Sequence, residues 1–217
     1  MNVSIIITCH NREKYIGRAI RSAIGQDFPG GKFEVIVVDN NSTDQSVEII
    51  RDFGDAIVPI FHEVDEGLPA SRNKGIRKAK GRFVVHLDSD DYFHANLISI
   101  ENQFLEHNGE WGAVECDYLL VDAHEDHLLR VSAVEHPIAC GVMFRKDCLI
   151  SIGLYEESMR LCGDEELRAR FQERYVVGHI PLPYYRYTRH DGNMTKDYSP
   201  VDEYNKKLEQ RLRESSD

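Results

Sequence analysis

The stretch "FVVHLDSDDYF", residues 83–93, sets an unbroken apolar run against three aspartates in four positions. A run of this kind, bounded by a polar cluster, reads as a strand buried on both faces, as in parallel sheets covered by helices. Phe83–Leu87 is that strand, and two earlier segments share its design. "VSIIIT", Val3–Thr8, runs into Cys9, His10 and Asn11; "FEVIVV", Phe33–Val38, runs into Asp39, Asn40 and Asn41. A further strand near Ile57–His62 contains Pro59, which suits a sheet edge or a bulge.

The segments between these strands have helical period. From Glu13 to Gln26, Tyr15, Ile16, Ala19, Ile20, Ala23 and Ile24 recur in pairs one turn apart, giving one buried stripe. Ser42, Thr43 and Asp44 are candidate caps for a second helix that Gly54 ends. Pro69 near the start and Gly81 just past the end frame a third. Strand and helix in alternation predict an α/β fold, a parallel sheet with right-handed crossovers and helices on both faces. After Asn96 the pattern gives one more helix, then strands around Ala113–Val121 and Leu128–Val134, and beyond Glu135 the order loosens.

Composition excludes several classes. The 217 residues carry a formal net charge of −11 with 29% charged residues, and no basic patch that would hold a nucleic-acid backbone. The five cysteines are odd in number and form no C-x-x-C pair, so a reducing compartment is expected and a disulfide framework or zinc knuckle is not. No apolar stretch reaches the roughly 18 residues that span a bilayer, and "NVSIIIT" lacks the build of a secretory signal. The expected location is cytoplasmic, with a peripheral place at the membrane allowed.

In open parallel sheets ligands bind outside the carboxyl ends of the strands, which is where the polar clusters fall. If extended backbone continues past Leu87, Asp88 and Asp90 point to one side, about 7 Å apart, while Ser89 and Asp91 face away. Two such carboxylates repel each other unless a cation neutralises them. Mn²⁺ or Mg²⁺ would do so, and these ions commonly share their coordination with substrate phosphates. The alternative is a turn or N-cap, with Asp91 free to cap the next turn. A P-loop or dinucleotide site is not indicated, because neither glycine pattern is present.

"VSIIITCHNREKYIGRAIRSAIGQ", "FEVIVVDNNSTDQS", "GLPASRNKGIRKAKGRFVVHLDSDD" and "CGDEEL" resemble, in order, the motifs of a family 2 glycosyltransferase. The resemblance covers roughly the first 190 residues. It implies the GT-A fold: a Rossmann-like, mostly parallel sheet flanked by helices, with a small antiparallel C-terminal part. It also implies inverting transfer of a sugar from a nucleotide sugar, usually a UDP-sugar, to a hydroxyl of a saccharide or lipid-linked saccharide. On that pattern residues 1–95 form the nucleotide-binding half and 96–198 the acceptor-binding half of one domain. Residues 199–217 form a charged helical tail that could dock, fray or pair two subunits as a homodimer.

The resemblance also assigns roles. Asp39 matches the acid that accepts a hydrogen bond from the uracil ring. Thr8, His10 and Asn11 fall in the first nucleotide loop, where Cys9 and His10 replace the Pro and aromatic residue common in the family. Arg72 matches an arginine near the nucleotide; Asp88 and Asp90, with Ser89 between them, match the D-x-D pair at the metal, ribose and diphosphate. Asp164 matches the general base, with Glu165 beside it and Gly163 where Glu is usual. Arg145 is a candidate donor contact, with Gly141 allowing close approach, and Arg189 and His190 lie in a segment that closes over the diphosphate, His190 as a metal ligand. The alternative function is a non-catalytic nucleotide- or sugar-binding module on the same fold, which would keep Asp39 and Asp88 and lose the base.

Overall fold

A computed structural model describes residues 1–159, 163–190 and 192–193. The first half alternates as β1 (Val3–Cys9), α1 (Ile16–Ile24), β2 (Phe33–Asp39), α2 (Ser46–Asp52), β3 (Val58–Phe61), α3 (Leu68–Lys78) and β4 (Phe83–Asp88). After a two-residue β5 (Tyr92–Phe93) come α4 (Leu97–His107), β6 (Trp111–Val121) and β7 (His127–Val131). They are followed by β8 (Val142–Arg145), α5 (Lys146–Ser151), α6 (Gly163–Gln172) and β9 (Val176–Thr188). The expected C-terminal tail lies outside the described residues.

The sheet order is β3-β2-β1-β4-β8-β6-β9-β5, with β7 added on β6. β1, β2, β3 and β4 pair in parallel, and Pro59 sits on β3 at the edge, where its missing N–H costs no ladder bond. The antiparallel pairs are β4–β8, β6–β8, β6–β7 and β5–β9, all reaching into the C-terminal half. That half also contains a long parallel pair, β6 with β9.

The period of two along each strand divides the core between the sheet's faces. Ile5, Ile7, Val37, Val85 and Leu87 pack with Ile16 and Ile20 of α1; Ile6, Ile36, Val38 and Val84 pack with Ile76 of α3. Each such side chain, fully buried, contributes on the order of 1.5–3 kcal/mol. α3 lies close on β1 because position 75 is glycine: a Cβ there would sit 2.4 Å from Ile6 Cγ2. α1 begins at Ile16 rather than Glu13, since residues 11–13 are committed elsewhere. The Glu13 N–H donates to Asp44, and the Glu13 carboxylate accepts from the Gln45 N–H.

Glu101 of α4 is fully buried, and neither carboxylate oxygen has a hydrogen-bond partner. Burial pushes its carboxyl well up, with Cys116 and Glu115 of β6 facing it. A folded-state pKa above the unfolded value of about 4.3 means that stability is fully present below that pH and is lost as pH rises toward the folded value. Replacing Glu101 with Gln should remove this dependence and gain about 1 kcal/mol or more at pH 8. Urea denaturation of both proteins at pH 5 and pH 8 checks it; equal pH slopes would refute it.

Candidate active site

Loops that leave the carboxyl ends of β1, β2, β3 and β4 form the site, and they are bound to one another by side chains. Asn11, in left-handed backbone at φ +53°, donates its N–H to Ser42 Oγ and accepts the Thr43 N–H on Oδ1. Asparagine tolerates that conformation better than most residues. Asn40 donates to Asp65 and accepts from the Glu66 N–H, which fixes the loop after β3. His10 is exposed, its Nδ1 2.8 Å from the Asn40 carbonyl, so the ring stands at the rim between the first two loops. Thr8 is buried at the end of β1.

Asp39 ends β2 at 1% exposure. Its Oδ2 accepts the Ser42 N–H at 3.0 Å, while Oδ1 is buried without a partner. A buried acceptor left unpaired is costly, so Oδ1 is suited to an N–H supplied by a ligand.

The acids after β4 take three different partners. Asp88 accepts from Nη2 of Arg72 at 3.2 Å. Asp90 Oδ2 accepts from Nε of Arg12 at 3.1 Å and lies 3.0 Å from Nε2 of His190. The His190 ring stacks on Tyr15 with centroids 4.5 Å apart, and Arg12 also donates to the Gly192 carbonyl. Ser89 is buried in the turn between the two acids. Asp91 corrects the expectation of a cap: it is buried, accepting the Tyr185 hydroxyl at 2.6 Å and the Thr188 N–H at 2.7 Å. It therefore anchors β9, and burial pushes its carboxyl well up.

Arg72 of α3 joins the two sides of the cleft. Its Nη1 donates to Asp164, in the first turn of α6, while Nη2 serves Asp88, and the guanidinium lies 5.4 Å from the Tyr155 ring centre. Burial alone would lower its pKa, but Asp164 and Asp88 hold it above the ordinary arginine value. Partial burial pushes Asp88 up against the opposing pull of Arg72. His86, beneath them and edge-on to Tyr155, is held neutral by burial.

Glu165 is exposed and lines, with Asp164, Tyr155, Arg168, Pro137 and Ile138, a cleft of about 110 Å³. Arg168 is spent on Glu115, its two nitrogens 2.8 and 3.0 Å from the carboxylate. Arg145 is not at the site. It donates to the carbonyls of Leu105, Asn108 and Trp111, tying β8 to the end of α4. Gly141, at φ +69°, makes room for a protein ring, since a Cβ there would meet Tyr185 at 2.7 Å. Arg189 follows β9 half-buried, its N–H on the Val121 carbonyl at 2.7 Å. Among the described residues no three acids, histidines or cysteines form a ready-made metal cage. Arg12 and Tyr15 were not anticipated. Tyr15 was read into the buried stripe of the first helix and Arg12 was given no role, whereas the turn before α1 delivers Arg12 to Asp90 and Tyr15 to His190.

The sequence matches the family model "Glycosyl transferase family 2" over residues 4–115, half of the chain, from β1 to β6. The chain belongs to glycosyl transferase family 2. Asp164, Arg189 and His190 lie beyond the matched segment. Among curated relatives, the poly(ribitol-phosphate) β-N-acetylglucosaminyltransferase TarS of Staphylococcus aureus is 36% identical over 114 residues, 51% of this chain and 20% of that protein. WfaP of Escherichia coli, a UDP-Glc:α-D-GlcNAc-diphosphoundecaprenol β-1,3-glucosyltransferase, is 36% identical over 105 residues, 48% of this chain and 41% of that protein. The chain thus spans well under two thirds of the relatives it matches. Of solved structures, residues 1–349 of S. aureus TarS with UDP-GlcNAc align at a TM-score of 0.74 and 24% identity, covering 94% of this chain and 64% of that one. The mannosyltransferase PcManGT of Pyrobaculum calidifontis with GDP-Man and Mn²⁺ aligns at 0.71 and 18%, covering 88% and 58%. These alignments establish the GT-A fold for the family member described here.

Proposed function

We propose that this chain is an inverting glycosyltransferase that moves a sugar from a nucleoside-diphosphate sugar, a UDP-sugar, to a hydroxyl of a saccharide or lipid-linked saccharide. The observation that carries the reading is the meeting of Asp88 and Asp164 on one buried guanidinium, which brings the acid that ends β4 next to an acid that lines the cleft beside α6. Asp39, with one oxygen unpaired, is the receptor for an imide N–H of the base. Uracil, thymine and guanine present such an N–H, and cytosine and adenine do not. Residues 1–95 supply this nucleotide side, and residues 96–198 the acceptor side.

Asp164 is the general base, within the cleft and attached through Arg72 to the donor side, and Glu165 is its neighbour on the same turn. One displacement suffices for inversion: the acceptor oxygen bonds to the anomeric carbon, its proton passes to Asp164, and the diphosphate leaves with the electron pair. Asp88 and Asp90 have the hard oxygen chemistry for Mn²⁺ or Mg²⁺, and His190 is placed beside Asp90 to join them. When bound, such an ion would stabilise charge on the departing diphosphate. Arg12 is bonded to Asp90, and Arg189 directly precedes His190 in the chain. No helix among the described residues is long and apolar enough to cross a membrane, and the WfaP name supplies a lipid-linked acceptor as the pattern to try first.

A thermal-shift series tests the reading, because a ligand that binds the folded state raises its apparent stability by mass action. UDP with Mn²⁺ should raise the melting temperature by several degrees, UDP with EDTA by less, and CDP with Mn²⁺ hardly at all. No shift with any uridine, thymidine or guanosine diphosphate would sink the proposal, and a CDP shift equal to that of UDP would sink the role of Asp39.

A further inference from the structure

Arg72 is a deeply enclosed charge of the site. Its side chain is 3% exposed, whereas the side chains of both its partners, Asp88 and Asp164, are 36% exposed, and Asp164 lines the cleft. Its Nε reaches no acceptor, and Cys140 Sγ lies 3.6 Å from Nη2. The acids can trade partners with solvent, whereas the guanidinium can give up one anion only for another. A buried cation must keep an anion within reach.

Only one of the two acids belongs to the donor side. A diphosphate arriving beside Asp88 offers Arg72 a new anion, in bidentate geometry that a guanidinium matches well. The pair that can then be released is Arg72–Asp164, because Asp164 is carried by the first turn of α6 and can be solvated. While that pair is closed, a carboxylate oxygen of Asp164 is given to a guanidinium and is not offered to an acceptor hydroxyl.

We infer that Arg72 is a positioning residue that couples donor binding to the base: it holds Asp164 until a nucleoside diphosphate draws the guanidinium away and releases the carboxylate. This rests on the reading of Asp164 as the base. The transfer step itself is unchanged, with the acceptor proton going to Asp164 and the diphosphate leaving. What Arg72 adds is an order, donor before acceptor, and a base kept engaged while the donor subsite is empty.

Coupling of this kind is reciprocal, which gives it a signature apart from activity. If donor binding loosens the Arg72–Asp164 pair, then removing the charge of Asp164 must tighten donor binding. A guanidinium that merely braces the fold predicts no change or a loss. Titration calorimetry of the full chain with UDP, with and without Mn²⁺, compares wild type, Asp164→Asn and Glu165→Gln. Asp164→Asn should bind UDP about tenfold more tightly, and Glu165→Gln, which deletes the same charge one residue away, should not. The gain should vanish in an Arg72→Gln background; should that variant not fold, the contrast between Asp164→Asn and Glu165→Gln still decides. Unchanged or weaker UDP binding by Asp164→Asn overturns the coupling, as does equal tightening by Glu165→Gln. The two readings fail separately. Lost transfer with unchanged UDP affinity keeps the base and refutes the coupling; tighter UDP with full transfer keeps the coupling and refutes the base.

Discussion

Asp164→Asn should reduce kcat for sugar transfer by about 10²–10⁴, the range expected when a positioned general base is lost. Asn keeps the size of the side chain and can still accept a hydrogen bond from Arg72, but it cannot take a proton. The fold should survive, because the side chain is 36% exposed and Arg72 retains Asp88. The exposed end of that ion pair contributes little to stability, on the order of 1 kcal/mol or less after solvent screening. Initial rates with a UDP-sugar and a saccharide acceptor, set beside melting temperatures, make the measurement. A variant that keeps a tenth or more of wild-type kcat removes Asp164 from the chemistry. If Glu165→Gln shows the larger loss instead, the base is the neighbouring acid, which stands on the same helical turn and is exposed at the cleft.

The second large effect is expected at Asp39. In Asp39→Asn the amide oxygen can still accept the Ser42 N–H, which leaves the NH₂ pointing where Oδ1 stood. A donor would then face the imide N–H of uracil. UDP affinity should fall about 10- to 100-fold, the cost of 1–3 kcal/mol for opposing a buried polar group with no partner. The same substitution should favour CDP, since cytosine presents a ring acceptor at that place. Competition binding with UDP and CDP against both proteins reads the change. Retention of the wild-type preference for UDP would show that the unpaired oxygen of Asp39 does not meet the base.

The parallel half of the fold was legible because its signals are local. Buried strands such as Phe83–Asp88 announce themselves by apolar runs, and Pro59 pointed to the edge that β3 occupies. Asp39 and Asp88 could be placed for the same reason, since residues that end parallel strands share one rim of the sheet. The C-terminal half was less readable. β9 pairs with β6 in parallel and with β5 in antiparallel fashion, and nothing in the thirteen residues of β9 states which neighbours it will meet.

The acids after β4 show the limit most clearly. Repulsion among Asp88, Asp90 and Asp91 suggested that a cation must neutralise them. Protein groups also meet them. Arg72 and Arg12 meet the first two, and Asp91 carries a raised pKa and hydrogen bonds from Tyr185 and Thr188. Contacts across 78 or 94 residues of chain leave no trace in a local pattern. Arg145 failed in the opposite direction, since a motif-like position gave no warning that three backbone carbonyls would claim its side chain.

The attachment of β9 to Asp91 has a practical outcome for mutagenesis. One short turn carries both carboxylates proposed to face the ligand and a rivet for the last long strand, so substitutions only one position apart should silence the enzyme for unrelated reasons. Loss at Asp90 should leave a cooperative melt near that of wild type. Loss at Asp91 frees the Tyr185 hydroxyl and the Thr188 amide, both buried, and should lower the melting point while loosening the strand that leads into Arg189 and His190. An inactive Asp91 variant would therefore report on architecture, and only a paired stability measurement keeps it from being counted as chemistry.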